Sequence, residues 1–120
     1  MTRINCIDPK DLCDKHLIAE YRELPRIAKL AQKAYNKNKD RKLPQTYILG
    51  TGHVLFFYNK GEYLSKRHNS ICTEMLKRGF TVNFPNYPDD NHPKEWFNDW
   101  KPSKIDMELN LSRINERLGK

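Results

Sequence analysis

The chain of 120 residues carries 22 lysines and arginines against 15 aspartates and glutamates, a net charge of +7, with 38% hydrophobic residues. That bounds it to one compact domain over residues 1–120, and the basic balance favours an anionic partner, most often nucleic acid. Three cysteines without a CxxC spacing exclude a disulfide framework and a cysteine-rich zinc site, and no apolar run reaches the length of a membrane span or a signal region, so an intracellular, non-secreted protein is expected.

The chain opens Met-Thr-Arg-Ile-Asn. Thr2 is small enough for a methionine aminopeptidase to remove Met1, which exposes a threonine α-amine. Such an amine has an ordinary pKa of about 7.7–8.0, against about 10.4 for lysine, so it is partly neutral and nucleophilic near pH 7. Asp8 and Pro9 then read as the N-cap and first position of a long helix. Leu17, Tyr21, Leu24, Ala28, Ala31 and Tyr35 follow at the spacing of one helical face. Pro25 interrupts the pattern without ending it and predicts a kink near Tyr21–Leu24.

After a polar, basic connection (NKNKDRKLP), the stretch QTYILGTGHVLFFYNK reads as an ordered loop, with a short strand as the alternative. A second helix is expected from Gly61 to Arg78, with Leu64, His68, Ile71, Cys72 and Met75 on its buried face and Gly79 as its stop. The segment FPNYPDDNHPKEWFNDWKP has too much Pro, Asn and Asp for regular structure, and Trp96, Phe97 and Trp100 are expected to pin it down. A last helix opens at Ser103 with a capping-box pattern to Asp106 and a stripe of Met107, Leu111, Ile114 and Leu118. The expected fold is all-α, a compact three-helix domain with long ordered loops.

At about 100° per residue, Arg22, Arg26, Lys29 and Lys33 fall within a band roughly 60° wide, opposite the apolar side of the first helix. Four like charges on one face repel, so an anion is needed to neutralise them. Arg113 and Arg117 repeat the pattern one turn apart on the last helix. Arginine suits bidentate phosphate contact, and the stripe reads as a DNA- or RNA-binding face. Glu23 sits between the basic and apolar stripes, with His16 two turns earlier on the same flank. A carboxylate there repels a phosphate backbone. It is either a helix salt bridge or a group with a chemical task, stabilising a developing cation or taking a proton.

Other apparent sites read as structural. His53 in GTGHV lacks a ligand partner at helical spacing, His68 and Cys72 share a core face, and Gly50 and Gly52 are not followed by the GK[ST] of a phosphate loop.

The stretches MTRIN, HLIAEYRELPR, YILGTGHVLFFYNK and LKRGF together resemble the pyrimidine-dimer DNA glycosylase, or endonuclease V, family of phages and algal viruses, along nearly the whole chain and in the same order. The resemblance implies an all-α monomer, without metal or cofactor, that acts on double-stranded DNA carrying ultraviolet lesions. It implies that the Thr2 amine attacks C1′ of the 5′ nucleotide of a cyclobutane dimer, forms an imine and nicks the strand by elimination. Glu23 would then stabilise the cationic intermediate and promote loss of the C2′ proton. Arg3, His16, Arg22, Arg26 and Arg113 match DNA-contacting positions, and Arg117 stands in place of a lysine. Lys15 replaces a glutamine beside His16, residues 85–102 match poorly, and the chain as read stops at Gly119-Lys120, short of an aromatic and basic tail. Two other readings stand beside this one: the same glycosylase and lyase chemistry on ring-opened purines or abasic sites, and a non-catalytic helical DNA-binding protein.

Overall fold

The computed structural model describes residues 4–119, and among them the regular backbone is helical, with no β-strand. The elements run in order as a 3₁₀ turn Pro9–Asp11, α1 (Asp14–Lys37), α2 (His53–Phe56), α3 (Gly61–Lys77), 3₁₀ turns Asp89–Asn91 and Lys94–Trp96, and α4 (Lys104–Arg117). Three long helices therefore build the all-α fold. The fourth is a single turn inside the stretch read as a loop. Gly52 makes that turn possible, starting α2 in the left-handed region at φ 89°, which L side chains avoid.

The start of α1 differs from the expectation. The Asp8 side chain accepts a hydrogen bond from Lys10 N–H at 3.0 Å, so Asp8 and Pro9 begin the isolated 3₁₀ turn, and α1 starts only after Cys13. The cap signal was local, and it was satisfied locally. Pro25 lies inside α1, which continues through it to Lys37. Having no N–H, Pro25 leaves the Tyr21 carbonyl without its usual helical donor.

Leu17, Tyr21, Leu24 and Ala28 of α1 share one core with Leu64, Ile71, Cys72 and Met75 of α3. The end of α3 is fastened twice. Phe80 N–H bonds Met75 C=O at 2.9 Å and Gly79 N–H bonds Leu76 C=O at 3.0 Å, the paired bonds of a left-handed glycine stop, with Gly79 at φ 85°. Arg78 then reaches across to the Asp14 carboxylate at 2.9 Å and to the carbonyl of Leu12 at 2.7 Å, tying the end of α3 to the start of α1.

Residues 80–102 have no regular structure beyond the two 3₁₀ turns, and their order comes from side chains. The Tyr21 hydroxyl accepts from Asn83 and Phe84 N–H at 2.7 and 3.0 Å, and its ring stacks on Phe84 at 4.2 Å. His92 donates from Nε2 to Tyr58 C=O and accepts from the Tyr87 hydroxyl. Trp96 packs on Ala31 and Ala34, while Trp100 packs edge-on to Phe56, Phe57 and Tyr63. Phe97 meets the edge of His92, so all three aromatic pins act as expected.

The capping box of α4 forms, with Asp106 N–H to Ser103 Oγ at 3.1 Å and Ser103 N–H to Asp106 Oδ2 at 3.0 Å. Its buried stripe is not the expected one. Asn110 and Ile114 are buried, whereas Met107, Leu111 and Leu118 are exposed. The helix is turned toward the core by Asn110, whose amide finds polar partners there.

At Gly61, the first residue of α3, an added Cβ would lie 2.6 Å from both His92 Cδ2 and Phe97 Cδ1. Overpacking of this kind costs about 1–3 kcal/mol, against a gain of up to about 1 kcal/mol in helix propensity. Gly61→Ala is therefore expected to lower the urea unfolding midpoint, and an unchanged midpoint would show that the 92–97 segment is not pressed against α3.

Candidate active site and nucleic-acid interface

Residues 4–7 form an irregular segment, yet all four are buried. Buried backbone groups outside a helix or sheet need side-chain or water partners, and each of these residues has one backbone group bonded to a side chain. Ile4 N–H donates to His53 Nε2 at 3.1 Å. Asn5 C=O accepts from the Tyr63 hydroxyl at 3.1 Å. Cys6 N–H donates to Asn110 Oδ1 at 2.7 Å, and Ile7 C=O accepts from Arg67 Nη1. The side chain of Asn5 joins the same network. Its amide donates to Glu20 Oε1 at 2.8 Å and its oxygen accepts from Asn110 Nδ2 at 2.8 Å.

The centre of this network is an ion pair. Arg67 of α3 donates from Nε to Glu20 Oε2 at 2.7 Å and from Nη2 to Oε1 at 3.1 Å, with side-chain exposures of 7% and 0%. Burial pushes the guanidinium pKa down, but the Glu20 charge and hydrogen bonds outweigh it and hold Arg67 above its ordinary value. Burial also pushes the Cys6 thiol up to about 11, despite Arg67 nearby, which leaves it protonated and inert.

One turn beyond Glu20, Glu23 lies at the edge of the same side of α1. Its carboxylate is 14% exposed, and Oε2 stands 3.4 Å from Nη1 of Arg26, whose side chain is 71% exposed. Arg22, Lys29 and Lys33 are exposed on the outer face, as their register requires. Lys29 and Lys33 also line a shallow cavity of about 690 Å³ with Gln32, Asn36, Lys37, Asp90 and Asn91.

His16 is half-buried, and its Nδ1 has no hydrogen-bond partner among the described residues. Burial lowers its pKa, and the charges of Lys15 and Arg117 lower it further. Arg117 of α4 thus acts on the His16 flank of α1. Arg113 is instead engaged on its own helix, its Nε 3.3 Å from Glu116 Oε2. Thr2 and Arg3 lie outside the described residues.

Glu20, Arg67, Asn5, Asn110 and His53 were not read from the sequence as parts of a site. Two of them carried a signal. Glu20 lies between Leu17 and Leu24 on the apolar stripe of α1, and Arg67 between Leu64 and Ile71 on that of α3. Opposite charges at core positions of two packed helices call for each other. His53 was read as a packing residue, and it is buried, but it also holds Ile4.

A family model described as pyrimidine dimer DNA glycosylase matches residues 1–87. The match spans the terminus, the basic face of α1, α2 and α3, and ends before α4 with Arg113 and Arg117.

Glu20→Gln keeps an acceptor for Asn5 but leaves the Arg67 charge buried without its counter-ion. Removing one partner of a buried pair costs about 3–5 kcal/mol, while apolar replacement of both costs far less. Glu20→Gln is expected to lose that amount in urea unfolding, and the double change Glu20→Leu, Arg67→Met to recover only part of it, because it leaves the Asn5 amide and the Ile7 carbonyl without partners. A single substitution costing under about 1 kcal/mol would show that the pair does not hold the segment.

Proposed function

The chain belongs to the pyrimidine dimer DNA glycosylase family, an enzyme family acting on DNA, and we propose that its chemistry is that of a glycosylase with lyase activity carried by the Thr2 amine. The observation that supports this most is the anchoring of residues 4–7 beside Glu20, one turn from Glu23. Thr2 precedes Ile4 by two residues, and two residues of chain reach at most about 7 Å. Removal of Met1 would give the mature chain its nucleophile so close to an ordered, buried support.

The neutral Thr2 amine attacks C1′ of the 5′ nucleotide of a cyclobutane pyrimidine dimer, and the N-glycosidic bond breaks with its electron pair leaving on the base, which is protonated. Nitrogen gives up a proton, and its lone pair then forms the C1′=N bond as the C1′–O4′ pair leaves on O4′, which takes up a proton as the sugar ring opens. Removal of a proton from C2′ then expels the 3′ phosphate by β-elimination and nicks the strand. Glu23 is assigned the stabilisation of the cationic sugar and imine and the C2′ proton transfer.

Arg22, Arg26, Lys29 and Lys33, with Arg3, Arg113, Arg117 and His16, are assigned to the duplex. Cations on one helical face neutralise phosphates, and arginines do so bidentately. Arg26 is suited to such a change of partner, because its contact with Glu23 is long and its side chain lies in solvent. A damaged pair is weakly stacked, which lowers the cost of extruding a base and favours dimers over intact DNA. The protein would work as a monomer inside the cell.

Three outcomes are expected with duplex containing a single dimer. Borohydride traps a covalent adduct whose peptide maps to Thr2, and protein retaining Met1, checked by mass spectrometry, traps none. Glu23→Gln lowers the single-turnover rate by about 10²-fold or more, with duplex affinity within about twofold. An adduct mapping to a lysine would overturn the Thr2 assignment. Binding without cleavage would favour a non-catalytic DNA-binding protein, and faster cleavage of ring-opened purines or abasic sites would shift the lesion class.

A further inference from the structure

His53 is 3% exposed and bonded at both ring nitrogens. The Ile48 carbonyl, 2.8 Å from Nδ1, is an acceptor, so Nδ1 carries the proton. Nε2 therefore presents its lone pair to the Ile4 N–H at 3.1 Å. The ring cannot turn away from this task. Tyr47 and Phe57 stand edge-on to it, with centroids at 5.7 and 5.4 Å. The backbone that delivers it is equally fixed, because His53 N–H closes onto Gly50 C=O at 3.1 Å between two left-handed glycines, Gly50 and Gly52.

We propose that His53 is a positioning residue for the terminal amine, its Nε2 lone pair fixing the backbone at Ile4, two residues from Thr2; the role rests on the reading of Thr2 as nucleophile. Among the described residues, the bond to Ile4 is the link of the anchoring network nearest the terminus. Without it the described backbone would be held only from Asn5 onward. A displacement of about 1 Å in a reacting group can cost a hundredfold in rate.

The same geometry makes the anchor sensitive to acid. A protonated His53 would point an N–H at the N–H of Ile4, two donors with no acceptor between them. Burial lowers the His53 pKa, with the bonds to Ile48 and Ile4 and the Glu20 charge opposing. Among the described residues, Glu20 faces it from α1 and the Tyr47 phenol from the 43–52 connection, and its own helix α2 carries no other titratable group. The sign follows from linkage: the unfolded imidazole protonates near its ordinary value of about 6.5, the folded one lower. The anchor's contribution is thus complete above about pH 6.5 and is lost as pH falls from there through the folded pKa.

Two full-chain variants with Met1 removed separate this role from simple packing. His53→Asn retains a donor toward Ile48 but withdraws the acceptor from Ile4, whereas His53→Gln offers an uncharged acceptor at the Nε2 position. At saturating dimer-containing duplex, His53→Asn is expected to trap borohydride adduct on the order of ten- to a hundredfold more slowly. His53→Gln is expected to regain much of the rate and to lose part of the acid-side fall of the wild-type pH profile. Amide hydrogen exchange at Ile4 reports the anchor without any chemistry, and it should quicken in His53→Asn and, on acidification, in wild type. Wild-type trapping and Ile4 protection in His53→Asn would overturn the proposal. If that variant does not fold, a His53→Gln profile superimposable on wild type would overturn it as well. No adduct from correctly processed wild type, with Ile4 exchange still following His53, would instead overturn the Thr2 reading and leave only the anchor.

Discussion

The fork of Arg67 on Glu20 is the interaction on which the rest of the molecule depends. It joins the first half of α1 to the first half of α3, and Arg67 has a further N–H left over for the carbonyl of Ile7. Around it gather Asn5, Tyr63 and Asn110, so that, with His53 at Ile4, each of four consecutive residues near the chain start has a backbone group bonded to a side chain. Chain termini ordinarily fray, because nothing offsets the entropy of ordering them. A buried ion pair is a poor source of net stability compared with apolar packing. Its use here is better understood through what it orders, since apolar side chains could not satisfy the buried N–H and C=O groups of an irregular segment.

That constraint also accounts for the seat of α4. A helix with Met107, Leu111, Ile114 and Leu118 in register should bury that stripe, yet it buries Asn110 beside Ile114. Asn110 accepts at Oδ1 from Cys6 N–H and donates from Nδ2 to Asn5 Oδ1, and an unpaired N–H at Cys6 would cost about as much as the partial exposure of a leucine. The polar demand of the terminus thus outranks the apolar pattern of the helix. One consequence reaches the flank of α1: with Asn110 inward, the charge of Arg117 acts on His16.

Helical register made most of the fold legible. The apolar faces of α1 and α3, the glycine stop at Gly79 and the capping box at Ser103 each follow from spacing within one turn, and all of them form. The same register placed Arg22, Arg26, Lys29 and Lys33 together on the outside of α1. Two local signals misled: Asp8-Pro9 caps its own short turn, and the glycines of the 48–53 stretch hide a turn of helix. The buried network was the least legible, because its bonds join residues 15 to 105 positions apart and no periodicity connects them. Polar side chains at core positions, Glu20 and Arg67, were the visible trace of it.

An amine of depressed pKa is not in itself enough to identify a nucleophile, and the protein holds an instructive counterexample. Burial lowers the pKa of Lys60 to about 8, close to that of a free α-amine. Its Nζ nevertheless donates to the Phe56 carbonyl at 3.0 Å and to Asn59 Oδ1 at 2.9 Å, and it lies 3.8 Å over the Phe56 ring. Attack on a sugar carbon would require breaking both bonds and uncovering the ring. Lys60 also lines a cavity with Arg41, Lys42 and Trp96, and Trp96 packs on Ala31, about 16 Å of helix beyond Glu20. No carboxylate lines that cavity to stabilise a developing cation. Lys60 thus lacks what the proposed Thr2 nucleophile would have, a backbone anchored at Ile4 two residues away and the Glu23 carboxylate one turn beyond Glu20.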